Sequence, residues 1–378
     1  MVNASSLRQF PLVSFVVPAR PLAFRVSIQL IPLIIHDWHQ LNTRKEFLMT
    51  IQRRLYAGAA DLQPLLDLKR VCTTAENIYD FPTVSDLRVL LAPLPAKSTE
   101  ARPPWEDERG TVIPHLYRSA MTQKATMLWE LNGALVAYAL LVPPSLVLTF
   151  QVSPHARDKG IEKEILTWAL EGIQTQANRR GRSFSLWCRC HNSETERRTL
   201  LEEAGFHPHW QDLRLVSSLA SPLPVVPLPS GFVLRQGVHG NELEQYQDLH
   251  RSVFDGMSMG LDYHQSPAYQ PDLDLIAVGS EGSFVSFCLC QQKQVADDSG
   301  EYSVGEIGLI GTRPAYQKQG LGRTLLLTGM HLLKERGAMA AFLETEQGNT
   351  EAMHLFASVG FRTVSAWQWL IKEISNSA

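Results

Sequence analysis

The run GEIGLIGTRPAYQKQGLGRTLLLTGMHLLKERG, residues 305–337, holds a strand, a polar turn and a helix in succession. Its first eight residues alternate and are rich in isoleucine and glycine, which predicts a strand ending near Thr312. From Leu321 onward, leucines and a methionine recur at helical spacing. Lys334 and Arg336 occupy the last turn and Gly337 stops it. A helix N-terminus carries about half a positive charge and several amides without intrahelical partners. Gly320 and Gly322 let an anion approach that backbone, with Lys318 and Arg323 beside it. The turn therefore reads as a candidate cradle for a phosphate or pyrophosphate on the amides of residues 318–323.

Two familiar phosphate loops do not fit. The Walker pattern needs an earlier glycine that this turn lacks, and the third glycine of G-x-G-x-x-G would fall on Leu325. On these residues alone, a glycine pair that merely turns the chain stands equally open.

Composition narrows the class. The chain has 378 residues, 44% hydrophobic and 19% charged, with a net charge of −3, as expected of two globular domains. Its 35 Lys and Arg are outweighed by 38 Asp and Glu, which argues against a nucleic-acid partner. Five cysteines form an odd set, favouring reduced thiols and a cytoplasmic setting. Cys188 with Cys190, and Cys288 with Cys290, stand in strand-like runs and read as same-face small residues, so no metal site is expected. Residues 1–48 are apolar, but Arg20, Arg25 and four prolines interrupt them; no membrane span is expected, and the segment reads as an unstructured extension.

Four prolines in residues 217–230 mark a linker between a first domain at 49–216 and a second at 231–378. Both halves read as mixed α/β and repeat one order of elements. Pro154 aligns with Pro314 and Gly160 with Gly320, each pair 160 residues apart, and LLEEAGF ending at Phe206 matches LFASVGF ending at Phe361. A duplicated ancestor accounts for both.

The pattern Q/R-x-x-G-x-G/A after a strand and before a helix resembles the acetyl-CoA signature of the GNAT superfamily of N-acetyltransferases. Gln317, Gly320 and Gly322 occupy its positions. A second family pattern, N-x-x-A-x-x-L-(Y/F)-x-x-x-G-F, is present as Asn349, Ala352, Leu355, Phe356, Gly360 and Phe361. The resemblance covers residues 231–378 and, more weakly, 49–216; the tandem arrangement is similar to that of mycothiol synthase-like proteins.

What the resemblance implies is specific. Each domain is a mostly antiparallel sheet flanked by helices, with one splayed strand pair. Pantetheine enters the splay and pairs with backbone near Ile310, Gly311 and Thr312. Gln317, Lys318, Gln319, Gly320, Leu321, Gly322, Arg323 and Thr324 hold the pyrophosphate end of acetyl-CoA. Asn349 contacts the pantetheine arm or the neighbouring backbone, and Phe356 lies near the sulfur. The activity implied is acetyl transfer to a primary amine of a small molecule or peptide. The alternative is a non-catalytic acyl-CoA-binding regulatory or scaffold protein.

Amine attack on a thioester needs a proton acceptor, because free amines are mostly protonated at neutral pH. Glu306, 14 residues before Gly320, stands where family members often carry a base, among Ile307, Leu309 and Ile310. Phe356 replaces the tyrosine that commonly protonates the leaving sulfur; Tyr316, Tyr302 or water could substitute. Glu344 and Glu346 share a strand face and read either as an amine site or as a solvated strand end. Trp367 and Trp369 read as core, and His250, His264 and His331 as ordinary histidines. In the first half, Leu146 takes the place of Glu306 and Glu162 that of Gly322, so acetyl-CoA is expected only in the second domain.

Overall fold

The computed structural model describes residues 51–93, 119, 121–142, 146–254, 264 and 266–376. The expected extension at 1–48 and nearly all of the Pro-rich stretch after residue 93 lie outside them. The chain runs β1 (Ile51–Leu55), α1 (Ala59–Cys72), α2 (Val84–Leu90), β2 (Thr126–Leu131), β3 (Ala134–Val142), β4 (Val147–Val152), α3 (Ile161–Arg180), β5 (Phe184–His191) and α4 (Thr195–Glu203). It continues with β6 (His207–Ser218), β7 (Val233–Gln236), α5 (Leu243–Val253), β8 (Asp274–Val278), β9 (Phe284–Asp297) and β10 (Gly300–Thr312). Then follow α6 (Leu321–Glu335), β11 (Ala340–Glu346), α7 (Thr350–Ser358) and β12 (Arg362–Ile374). The fold is mixed α/β, as the alternation of strand and helix patterns requires.

These residues divide into two compact units. One holds the chain up to Gln211, residues 296–301, and the chain from Trp367 onward. Its sheet order is β1-β2-β3-β4-β5-β12, with β4 and β5 parallel and β12 antiparallel to β5 from Trp367↔His191 to Ile374↔Phe184. The other holds 212–295 and 302–366, ordered β6-β11-β10-β9-β8-β7. There β6 is antiparallel to β11, from Asp212↔Glu346 to Ser218↔Ala340, and β10 is parallel to β11. Each unit therefore includes one strand from the other sequence half, β12 on β5 in the first and β6 on β11 in the second.

Local chemistry sets the boundaries. Thr83 and Asp86 form a capping box at α2: the Thr83 amide donates to Asp86 Oδ2 at 2.8 Å and the Asp86 amide to Thr83 Oγ1 at 3.2 Å. Gly160 and Gly320 both turn into a helix with φ of 76° and 88°, the left-handed region that glycine adopts at no steric cost.

In the second unit, apolar side chains cover both sheet faces. Leu275, Cys288, Cys290, Ile307, Leu325, Met330, Leu333 and Leu343 fill the space under α6. Tyr246, Leu249, Ile276, Phe287, Leu289 and Leu309 fill the space under α5. Burying each such side chain is worth roughly 1.5–3 kcal/mol. A Cβ on Gly329 of α6 would come within 2.6 Å of Cys290 Sγ, so helix and strand approach closely here. Cys288 and Cys290 are the small residues that allow it; all five cysteines are free and buried. Trp367 and Trp369 are buried too. Among the described residues, no helix is long and apolar enough to cross a membrane.

Candidate active site

Parallel pairing between β10 and β11 consists of Gly305↔Ala341 and Glu306↔Phe342. Beyond Glu306 the strands part, while β11 keeps its other edge on β6 as far as Glu346. The Glu344 side chain is fully buried, yet the residue as a whole is only half-buried. Its exposed atoms are therefore main chain. A gap with open backbone lies between the two strands. The first unit repeats the device with Val147↔Trp187 and Leu148↔Cys188.

At the open end, β10 runs into the glycine turn. A short 3-10 turn at Pro314–Tyr316 leads to Lys318, which has a positive φ of 61°, and then to Gly320 as the N-cap of α6. Gln317 Nε2 donates to the Thr312 carbonyl at 3.2 Å and ties the turn to the strand end. Gln317, Lys318 and Gln319 are exposed. The first turn of α6 holds no acidic residue and no side chain caps it. A Cβ on Gly322 would meet Leu355 Cδ2 at 3.6 Å and Thr312 Oγ1 at 3.8 Å, ordinary contacts. Packing within the protein therefore does not demand a glycine there. The bare backbone suits an incoming anion instead.

The first unit differs at this point. Glu162 occupies the equivalent place in the first turn of α3, and its Oε1 accepts from Arg197 Nη2 at 2.9 Å. The chain's own carboxylate fills that position.

Other expected contacts are partly engaged within the protein. The Gly311 carbonyl accepts from Ser286 Oγ at 2.8 Å, and the Thr312 hydroxyl also lies 2.8 Å from Ser286 Oγ. A Cβ on Gly311 would stand 2.6 Å from Val253 Cγ1 and 2.8 Å from Phe287 Cε1, so α5 closes on the strand here. Arg323 Nη1 donates to the Ser358 carbonyl and hydroxyl at 3.0 and 2.6 Å, joining α6 to α7. Leu321 and Thr324 are buried, and the Thr324 amide donates to the Gly320 carbonyl at 3.0 Å. Asn349 is the N-cap of α7: its Oδ1 accepts from the Ala352 amide at 3.2 Å and its Nδ2 donates to Thr345 Oγ1 at 3.2 Å. Phe356 is buried against Phe361, ring centroids 6.0 Å apart.

Glu306 lies at the closed end of the gap and is 4% exposed. At about 3.4 Å per residue, the six steps from Glu306 to Thr312 span roughly 20 Å. Ile307 and Ile310 both pack on the α6 side while Leu309 packs on the α5 side. Same-face residues three apart mean that the alternation slips by one, as it does at a bulge. Lys293 on β9 places Nζ 2.6 Å from Glu306 Oε2. A charged residue continuing the apolar alternation of β9 is the only signal that could have marked it.

Two further polar groups resolve open readings. Glu344 is neither solvated nor bare; it pairs with Arg214 of β6, whose guanidinium also lies 5.0 Å from the Phe342 ring. His264 Nε2 lies 3.0 Å from Asp274 Oδ2, and the Tyr246 and Tyr269 hydroxyls donate to the same carboxylate at 2.9 Å each. Burial first, then the Asp274 charge, push both tyrosines well above their usual range.

Residues 243–361 match the acetyltransferase (GNAT) family. Over this region the chain is similar to the GNAT acetyltransferases. The chain is 27% identical over 256 residues to the mycothiol acetyltransferase of Nocardia farcinica, covering 62% of this chain and 78% of that protein. It is 25% identical over 291 residues to the mycothiol acetyltransferase of Renibacterium salmoninarum, covering 70% and 81%. Among solved structures it resembles a GCN5-related N-acetyltransferase from Sphaerobacter thermophilus, with a TM-score of 0.64, 21% identity and coverage of 88% and 98%. A tandem GNAT protein from the clavulanic acid biosynthesis pathway superposes with a TM-score of 0.55 at 14% identity, covering 87% and 99%. These two structures bear on the fold alone.

Proposed function

We propose that this protein moves an acetyl group from acetyl-CoA to the primary amine of a small molecule by direct attack. The chemistry lies in the C-terminal domain, residues 231–378. The observation that carries the reading is one continuous arrangement: an uncapped, glycine-lined helix N-terminus at the mouth of a strand gap, and a buried carboxylate at its closed end.

Acetyl-CoA supplies an activated acyl carbon and a leaving thiolate. The residues present fit it, since the α6 amides stand behind a glycine whose missing side chain no protein atom requires. Amides of residues 318–323 would hold the pyrophosphate, and the gap of roughly 20 Å suits an extended pantetheine arm. Glu306 takes one proton from the amine nitrogen as that nitrogen bonds to the acyl carbon. The slipped alternation around Ile310 supports its N–H as the donor to the negative oxygen that develops. The C–S bond then breaks, and a thiol with a pKa near 8.5 leaves tolerably without a dedicated acid, which accommodates phenylalanine at position 356.

The relatives named mycothiol acetyltransferase favour a small-molecule amine as acceptor. Glu162 in the first unit supports confining acetyl-CoA to the second. The test is free-thiol release from acetyl-CoA across a panel of amines. Acetyl-CoA binding without thiol release for any amine would favour the non-catalytic alternative, for which Phe356 speaks.

A further inference from the structure

Lys293 and Glu306 form an ion pair at 2.6 Å with side chains 8% and 5% exposed. Burying such a pair is weak support for stability, because apolar residues of similar volume often serve as well or better. What the pair does supply is a fixed charge and a fixed orientation. A carboxylate buried without a partner tends to take up a proton, and a protonated Glu306 cannot accept one from an amine.

We infer that Lys293 is a positioning residue for the reaction, holding Glu306 ionised and in place as the proton acceptor. The inference rests on the reading of Glu306 as base.

The neighbouring charged groups on adjacent elements are engaged elsewhere. Glu306 pairs with Phe342 of β11, an apolar neighbour. Two residues further along β11, Glu344 is engaged by Arg214 of β6, beside buried Asp212. From β8, Asp274 is held by His264, Tyr246 and Tyr269. From α5, His250 is stacked on Phe287 of β9 at 4.1 Å, where burial keeps its pKa down at about 3 and the ring neutral. Tyr302 precedes Glu306 on β10, and Gln291 is the buried polar neighbour of Lys293 on β9. Lys293, on the adjacent strand, places its ammonium directly against this carboxylate.

The test compares full-length wild type with Lys293→Met, Lys293→Gln and Lys293→Arg. Carboxyl protonation is read by carbon-13 NMR of glutamate-labelled protein, with the Glu306 signal assigned by its loss in Glu306→Gln. This readout needs no acceptor. Alongside it, kcat/KM is measured against pH with acetyl-CoA and the panel amine turned over fastest.

In Lys293→Met the Glu306 titration should move to higher pH. Turnover at pH 7 should fall ~10-fold or more and recover as pH rises, since a positioned base is worth ~10²–10⁴. Lys293→Arg should restore both. A titration unchanged from wild type, or a loss equal at every pH, overturns the inference. If the Met variant does not fold, the Gln variant is read by the same criteria. Full activity of Glu306→Gln would sink the base reading instead, and the NMR titration would still decide whether Lys293 governs the carboxyl.

Discussion

Arg214 on β6 and Glu344 on β11 are cross-strand neighbours that form an ion pair, with side chains 2% and 0% exposed. Removing one partner strands a buried charge. Arg214→Leu should therefore cost about 3–5 kcal/mol of stability, and Arg214→Leu with Glu344→Leu together should cost less than either alone. Chemical denaturation of the four proteins checks the sign of this coupling. Additive losses would contradict it.

The same edge bears on how the chain can be cut. A fragment beginning at Gly231 keeps β11 but lacks β6, so the pairing from Asp212↔Glu346 to Ser218↔Ala340 is gone. Exposed strand edges invite association. The fragment should be aggregated or unfolded by size exclusion and circular dichroism, and a monomeric fragment melting like the full chain would refute this.

His250 gives a pH signature. It is fully buried, and among the described residues its ring nitrogens have no hydrogen-bond partner. Burial, then the charge of His264, push its pKa from 6.5 down to about 3. The unfolded chain binds the extra proton between these values. This contribution to stability is therefore complete above pH 6.5 and is lost as pH falls toward 3. His250→Phe should flatten the unfolding free energy over that window by an amount on the order of a few kcal/mol. An unchanged slope would mean the ring is not buried neutral.

Gly322 tests the anion cradle with little structural cost. Gly322→Ala should keep both melting temperature and acetyl-CoA affinity near wild type, given contacts no closer than 3.6 Å. Gly322→Glu reproduces the first unit's Glu162 and should abolish acetyl-CoA binding by calorimetry while the protein stays folded. Retained binding in the glutamate variant would move the pyrophosphate elsewhere.

Legibility followed the range of the interactions. The strand, glycine turn and helix of 305–337 were readable because their signals are local: alternation, 3.6-residue spacing and glycines. Helix α2 leaves a weak trace although Thr83 and Asp86 spell its cap, because it is short and flanks a proline-rich stretch. Which sheet β6 and β12 join leaves no local trace, since strands of one pattern suit either edge. Glu306 could be named from its spacing to Gly320, but Lys293 could not. The apolar run that signals this strand gives way to Gln291, Gln292 and Lys293, whereas β9 runs to Asp297. Ion pairs across strands, such as Arg214 with Glu344, depend on register that sequence order does not reveal.

Whether Glu306 accepts the amine proton is decided by Glu306→Gln. The substitution keeps size and hydrogen bonding but removes the acceptor. With acetyl-CoA and a fixed amine, kcat at pH 7 should fall by ~10²–10⁴, with acetyl-CoA affinity little changed and a smaller loss at high pH, where the amine arrives neutral. A variant that turns over at the wild-type rate at pH 7 would place the base on another residue.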